Sequence, residues 1–138
     1  MEIYKIFTAK GEPAYYINRF YYTKFRVNKK NNSIYYKCRE KNLENKNCHA
    51  SVVFDQNDIL VPEKYKSEHN HDCLSEIEYD IKLALNEIKI ILKNNPNESV
   101  LKHYEKKEIE LRIKFNDQKK EFNKLWPQFE SIDAKAAF

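Results

Sequence analysis

The sequence predicts an α+β chain: a small antiparallel β-sheet of four to five strands, stapled by side-chain ligands, followed by a helical hairpin. Three observations lead there. Residues 1–73 alternate short runs of Ile, Tyr, Phe and Val with clusters of Asn, Asp, Lys and Gly, the pattern of strands and turns. All three cysteines and three of the four histidines fall between positions 38 and 73. From Leu74 onward the apolar residues recur in steps of three and four, the period of one helix face.

Strands are expected near Ile3–Thr8, Ala14–Ile17, Phe20–Val27, Ile34–Arg39, Ala50–Asp55 and Ile59–Val61, with an extended segment leading to His69. Lys10-Gly11-Glu12, Asn28–Ser33 and Gln56-Asn57-Asp58 read as turns; Asn is the non-glycine residue that best tolerates positive φ. In the second half, Ile77, Ile81, Ala84, Leu85, Ile88, Ile91 and Leu92 line one face of a helix over about 75–94. Asn94-Asn95-Pro96 ends it, because the residue before proline is driven out of the helical region. Asn97 is the expected N-cap of a second helix, over about 97–125. Its seam at 101, 104, 108, 111, 115, 118, 122 and 125 is apolar except at Glu108 and Gln118, and either closes the helical pair or faces another chain. The expected domains are therefore 1–73 and 74–138.

Composition narrows the function classes. The 138 residues are 33% charged and 41% hydrophobic, with a mean hydropathy of −0.86. No run approaches the roughly 18 apolar residues that a membrane helix requires. The opening MEIYKIFTAKGE lacks an apolar secretory core. An intracellular, reducing compartment is expected, where an odd set of three cysteines points to metal rather than to disulfides. Charge is uneven: residues 1–73 hold 13 basic against 9 acidic residues, residues 74–138 hold 12 of each, and 19–46 alone has nine basic residues and two acids. Such a local field suits a polyanion.

The pattern Cys38-x9-Cys48-x20-His69-x-His71 supplies two sulfurs and two imidazoles, a common structural set for one tetrahedral Zn²⁺. Cys38 ends one expected strand and Cys48 opens the next. In an extended chain His69 and His71 point to the same side while Asn70 faces away. Cys73 and His49 are weaker substitutes; His49 would point to the face opposite Cys48. A thiol hydrolase is disfavoured because nothing supplies an oxyanion hole or a substrate-binding domain, so no enzyme is expected. A sheet of this size has too little core to stand without a staple, so residues 1–73 are expected to unfold without metal.

The run Phe20-Tyr21-Tyr22, then Ile34-Tyr35-Tyr36-Lys37-Cys38, Cys48-His49-Ala50 and His69-Asn70-His71 resembles the FLYWCH-type zinc finger, which belongs with the WRKY-type and GCM-type DNA-binding domains. The resemblance covers about residues 3–72. Tyr36 stands where the FLYWCH pattern usually has Trp, and the WRKY-type reading heptapeptide is absent. Residues 74–132, with Pro96 and Pro127-Gln128-Phe129-Glu130-Ser131-Ile132, loosely resemble the segment that follows such a finger in MULE-like transposases.

The resemblance implies binding to double-stranded DNA, with one strand presented to the major groove and hence a nuclear location. Phe20–Val27 and its following turn are the candidate reader. Lys24 and Arg26, two apart, are expected to share a face near bases, with Asn28 beside them. Lys29, Lys30 and Arg19 are expected on phosphates, and Lys37 flanks the patch. Tyr21 and Phe25 are expected to pack in the core or to stack on sugars. Two alternatives accompany this reading: a protein-interaction module, and a homodimer or partner contact through the 97–125 helix.

Overall fold

The computed structural model describes residues 1–8, 10–39, 48–95 and 99–129. The chain divides into two compact units, Met1–Leu74 and Ser75–Phe138.

The first unit is a five-stranded antiparallel meander in the order β1 (Ile3–Phe7), β2 (Pro13–Ile17), β3 (Phe20–Val27), β4 (Ile34–Cys38) and β5 (Ser51–Phe54). Its turns are set by residues that accept left-handed backbone. Gly11 takes φ 81 between β1 and β2, and Asn18 and Arg19 take φ 51 and 67 in the two-residue β2–β3 loop. Positive φ at both loop positions is the hairpin geometry whose twist matches the flanking strands. In the β3–β4 turn Asn32 has φ 58, while the side-chain carbonyls of Asn28 and Asn31 accept the Lys30 and Ser33 N–H at 3.0 and 3.1 Å. Tyr15, Ile17, Tyr22, Tyr36, Val52 and Phe54 fill one side of the sheet, with Tyr15 stacked on Phe54 at 4.0 Å and edge-on to Tyr36 at 5.0 Å.

The expected strand Ile59–Val61 does not form. Asp55 Oδ1 accepts the N–H of Asn57 (2.8 Å) and Ile59 (3.0 Å), Asp58 takes φ 62, and the chain returns for one bridge, Leu60 to Phe54. Pro62 then opens a 3₁₀ turn, Pro62–Lys64, because its ring fixes φ and it has no N–H to continue a ladder. A second bridge, Ser51 to Lys66, guides the extended segment toward His69.

The second unit holds α1 (Glu76–Asn94), α2 (Val100–Lys114) and α3 (Lys119–Leu125). Ser75 caps α1, its hydroxyl accepting the Glu78 N–H at 3.3 Å, and Glu78 three residues on gives the sequence of a capping box. Ser75→Ala should lower the unit's stability by about 1 kcal/mol, read as a denaturant midpoint shift at constant slope. Ile77, Ile81, Ala84 and Ile88 are buried in a common core with Tyr104, Leu111, Phe115, Phe122 and Trp126. Ion pairs from Lys107 to Glu87 and from Lys114 to Asp80 and Glu76 join α2 to α1.

Two expectations are corrected here, and one of the two readings of the seam is borne out. Asn97, with Pro96, lies outside the described residues, and the cap of α2 is Ser99, which accepts the Lys102 N–H at 3.3 Å. The expected helix over 97–125 is two helices. It breaks at Phe115 (φ −108, ψ 37) and passes through a 3₁₀ turn, Asn116–Gln118. Asn116 and Asp117 are poor helix formers, since their side chains compete for backbone groups. The seam residues Tyr104, Leu111, Phe115 and Phe122 are buried inside this unit, so they do not form an open coiled-coil face. Among the described residues no helix is long and apolar enough to cross a membrane.

Candidate metal centre and basic hairpin

Cys38 ends β4, where its N–H reaches the Ala50 carbonyl at 3.1 Å. That bond holds the β4 terminus beside the chain entering β5, and so brings Cys48 to the same end of the sheet. The extended segment beyond Lys66 delivers the two histidines. Cys38, Cys48, His69 and His71 converge, with one donor atom from each lying within 4.8 Å of the others. Cys38 Sγ is 3.2 Å from His71 Nε2, and Cys48 Sγ is 3.3 Å from His69 Nδ1. Among the described residues no other group of three or more such side chains forms a comparable cluster.

The donor set fits zinc. Zn–S near 2.3 Å and Zn–N near 2.0 Å give tetrahedral S···N edges of about 3.6 Å, so closing around an ion needs side-chain shifts of about an ångström at most. Both sulfurs are buried. Four protein donors fill the tetrahedron, which is the closed arrangement of a structural site. Cys73 and His49 stand outside the cluster, and Asn70 between the histidines is exposed, as alternation in an extended chain requires.

The surroundings are aromatic. Phe20 lies flat on His69 (centroids 3.5 Å, planes 5° apart) and edge-on to His71 at 5.4 Å. Tyr22 Oη is 2.8 Å from His69 Nε2, and His71 Nδ1 is 2.9 Å from the Asp72 carbonyl. Burial, with His71 close by, pushes the His69 pKa down to about 4, so the ring is neutral and its lone pair is available at physiological pH. Burial also pushes the Tyr22 phenol well above its ordinary value. Spacing gave no hint of Phe20, Tyr22 or Asp72, because the strand that carries the first two lies 47 residues from His69 in the chain.

The basic residues distribute differently from the expectation. A bulge between Lys24 and Arg26 shifts the β3–β4 register: Lys24 pairs with Tyr36, and Arg26 with Tyr35. Directly opposed residues share a face, and neighbours on a strand do not. Lys24 and Arg26 therefore occupy opposite faces, because the extra residue Phe25 resets the alternation. Phe25 is 53% exposed rather than in the core, with Lys37 Nζ 3.8 Å from its ring centroid. Tyr21 does pack, stacking on buried Tyr16 at 4.8 Å. Lys64 and Arg26 both lie over Tyr35, at 5.8 and 4.7 Å, and the Lys64 hydrogen bond chiefly lowers its pKa, with smaller contributions from Asn28 and Arg26. Lys64 was not singled out from the sequence, where it is 38 residues from Arg26.

Lys29 and Lys30 are exposed at the β3–β4 turn. Arg19 sits in the β2–β3 loop, at the other end of β3, with its carbonyl accepting the Leu74 N–H at 3.0 Å. Eight strand residues at ~3.3 Å each separate it from the lysine turn, so it does not join that patch. Asn28 uses its side-chain carbonyl within the turn, on Lys30.

β3 overhangs its neighbour. Its pairing with β2 ends at Ala14–Thr23, because Pro13 follows in register and has no N–H to give. Lys24–Val27 thus pair only with β4 and leave their other backbone edge outside the β2–β3 ladder.

Residues 6–71 match the family profile described as FLYWCH zinc finger domain. No curated protein and no solved structure is significantly similar to the chain. The matched span begins in β1, ends on His71 and encloses all four clustered donors. With a five-stranded antiparallel sheet and a Cys₂His₂ cluster suited to one zinc ion, residues 6–71 of this chain are a FLYWCH zinc finger domain.

Proposed function

We propose that the finger binds double-stranded DNA in the nucleus through its overhanging β3–β4 hairpin. One observation supports this most: the overhang projects beyond β2 and carries Lys24, Arg26, Lys29 and Lys30, with Lys37 on β4 behind it. Among the described residues none of these five cations, nor Lys64, pairs with a carboxylate. A narrow, cation-bearing two-stranded ribbon is a shape the major groove admits. In this reading Arg26 is the base-reading candidate, because guanidinium matches guanine O6 and N7 in a bidentate pair, while Lys24, Lys29, Lys30 and Lys37 meet phosphates.

Zinc is the structural ion that joins β4, β5 and the His69–His71 segment. With four protein ligands it offers no open position for catalysis, in keeping with a regulatory or transposon-derived binding protein rather than an enzyme. Binding to random duplex DNA should weaken steeply with salt, and Lys29→Ala with Lys30→Ala should lower affinity for every sequence while flattening the salt slope by about two, at roughly 0.9 per phosphate contact. Fluorescence anisotropy across a salt series measures both. A flat salt response in the parent chain would sink the DNA reading.

A second reading, a protein-interaction module, draws on α2. Ile109 and Ile113 are 60% and 73% exposed and lie one turn apart on the same helix face. If that face pairs with a second copy or another protein, the chain's mass in sedimentation should rise with concentration or partner, and Ile113→Asp should abolish the rise.

A further inference from the structure

The two histidines of the metal centre are held by different means and present different nitrogens. His69 faces the cluster with Nδ1 and turns Nε2 to the Tyr22 hydroxyl, 2.8 Å away. His71 faces it with Nε2 and turns Nδ1 to the Asp72 carbonyl, 2.9 Å away. A neutral imidazole that gives one nitrogen to a metal carries its proton on the other. His71 thus donates Nδ1–H to a backbone carbonyl of its own chain segment, a partner that no side-chain substitution removes. His69 can donate Nε2–H only to Tyr22 Oη, which comes from β3, far away in sequence.

We infer that Tyr22 is the positioning residue of the zinc centre: its buried hydroxyl accepts Nε2–H of His69 and thereby fixes the tautomer and ring angle that aim Nδ1 at the ion. Tyr22 is itself well anchored. It is fully buried, and its Cα partner across the ladder is the ligand Cys38. Such a partner orients a ligand imidazole and raises its basicity toward the metal. Phe20 presses flat against the same ring and restricts its tilt, but a phenyl ring cannot choose between tautomers. β3 therefore supplies no ligand and yet governs one. The inference concerns the metal centre alone and stands apart from the identity of the macromolecular partner.

The test uses the full chain with stoichiometric zinc. Metal analysis of the parent protein comes first, so that failure to bind zinc is told apart from failure of the Tyr22 role. Long-range ¹H–¹⁵N correlation spectra should show His69 protonated at Nε2 and metal-bound at Nδ1, and His71 the reverse. His69 bound through Nε2 would overturn the inference without any mutation. Tyr22→Phe keeps the ring and removes the acceptor; its zinc dissociation constant, by chelator competition, should rise about 10–100-fold, and its Co²⁺ d–d bands should shift. Tyr36→Phe, equally buried in the same core and touching no ligand with its hydroxyl, should leave affinity and spectrum within about twofold of the parent. An unchanged affinity in Tyr22→Phe, or an equal loss in both variants, would reduce Tyr22 to packing.

Discussion

Removing zinc from the full chain should unfold the Met1–Leu74 unit and leave the helical unit standing. Every member of the clustered donor set lies in the first unit, and its core is one side of a five-stranded sheet. A core of that size yields only a few kcal/mol of net stability, whereas structural zinc contributes about 10–16 kcal/mol in small fingers. The ion also joins segments that little else holds: beyond the Ser51–Lys66 bridge, the ladder no longer guides the chain to His69. A chelator should therefore erase the dispersed amide resonances of the strands and the near-ultraviolet signal of the sheet tyrosines. Ellipticity at the helical minimum, arising from α1 to α3, should persist. Retention of the strand resonances in excess chelator would show that the sheet is self-sufficient.

Acid should act in the same direction. Zinc needs deprotonated thiols and neutral imidazoles, so lowering the pH releases it. The folded sheet has a further sensitivity at His69, whose pKa of about 4 lies below the ordinary 6.5 because of burial. The unfolded chain takes up that proton as pH drops through 6.5, and the folded one resists until about 4. The contribution of neutral His69 is thus complete above the unfolded value and is lost progressively as pH falls through that window. Chemical denaturation of the zinc-loaded chain between pH 7 and 4 should reveal a falling midpoint for the sheet, and a level midpoint across that range would contradict this.

The second large effect is expected in the helical unit. Phe122→Ala should destabilise it by about 3–5 kcal/mol, enough to melt a small domain of marginal stability. Phe122 is 1% exposed, stacks on Trp126 at 5.5 Å, and has the Arg112 guanidinium 4.6 Å from its ring centroid. α3 is only seven residues long, and a helix that short has no stability of its own in water. Its docked ring is what holds it, so truncation should release α3 and expose Tyr104, Leu111 and Trp126 with it. Zinc content should be unchanged, because all four donors lie in the other unit. Each kcal/mol moves the midpoint of a unit this size by about 4–8 °C, so a thermal shift under about 4 °C would contradict the assigned packing.

Much of this was readable from residue order. The five meander strands follow from runs of Tyr, Ile, Phe and Val between Asn, Gly and Asp turns, and α1 follows from Ile77, Ile81, Ala84 and Ile88. Both are local periodicities, which the chain expresses wherever one face is buried. The four donors were also legible, since two cysteines at a strand junction and a His-x-His in an extended segment have few other uses. Where reading failed, turn chemistry or core packing overrode the composition of the run. The Ile59–Val61 run has strand composition, but Asp55 and Pro62 bend the chain at both ends. The 104–122 seam reads as one continuous helix face, yet the break at Phe115 lets the rings of Phe115, Phe122 and Trp126 enter a single core.

The order of amino acids by itself determined the ligand set, the meander and the switch from sheet to helix, because each is encoded in spacings of a few residues or in the identity of metal-binding side chains. Tertiary structure alone decided that a bulge at Phe25 parts Lys24 from Arg26, that β3 outruns β2 at Pro13, and that Tyr22 meets His69. Those outcomes depend on register and on contacts between strands distant in sequence. A shift of one residue reverses every side chain on a strand, and no local pattern fixes that choice before the sheet assembles.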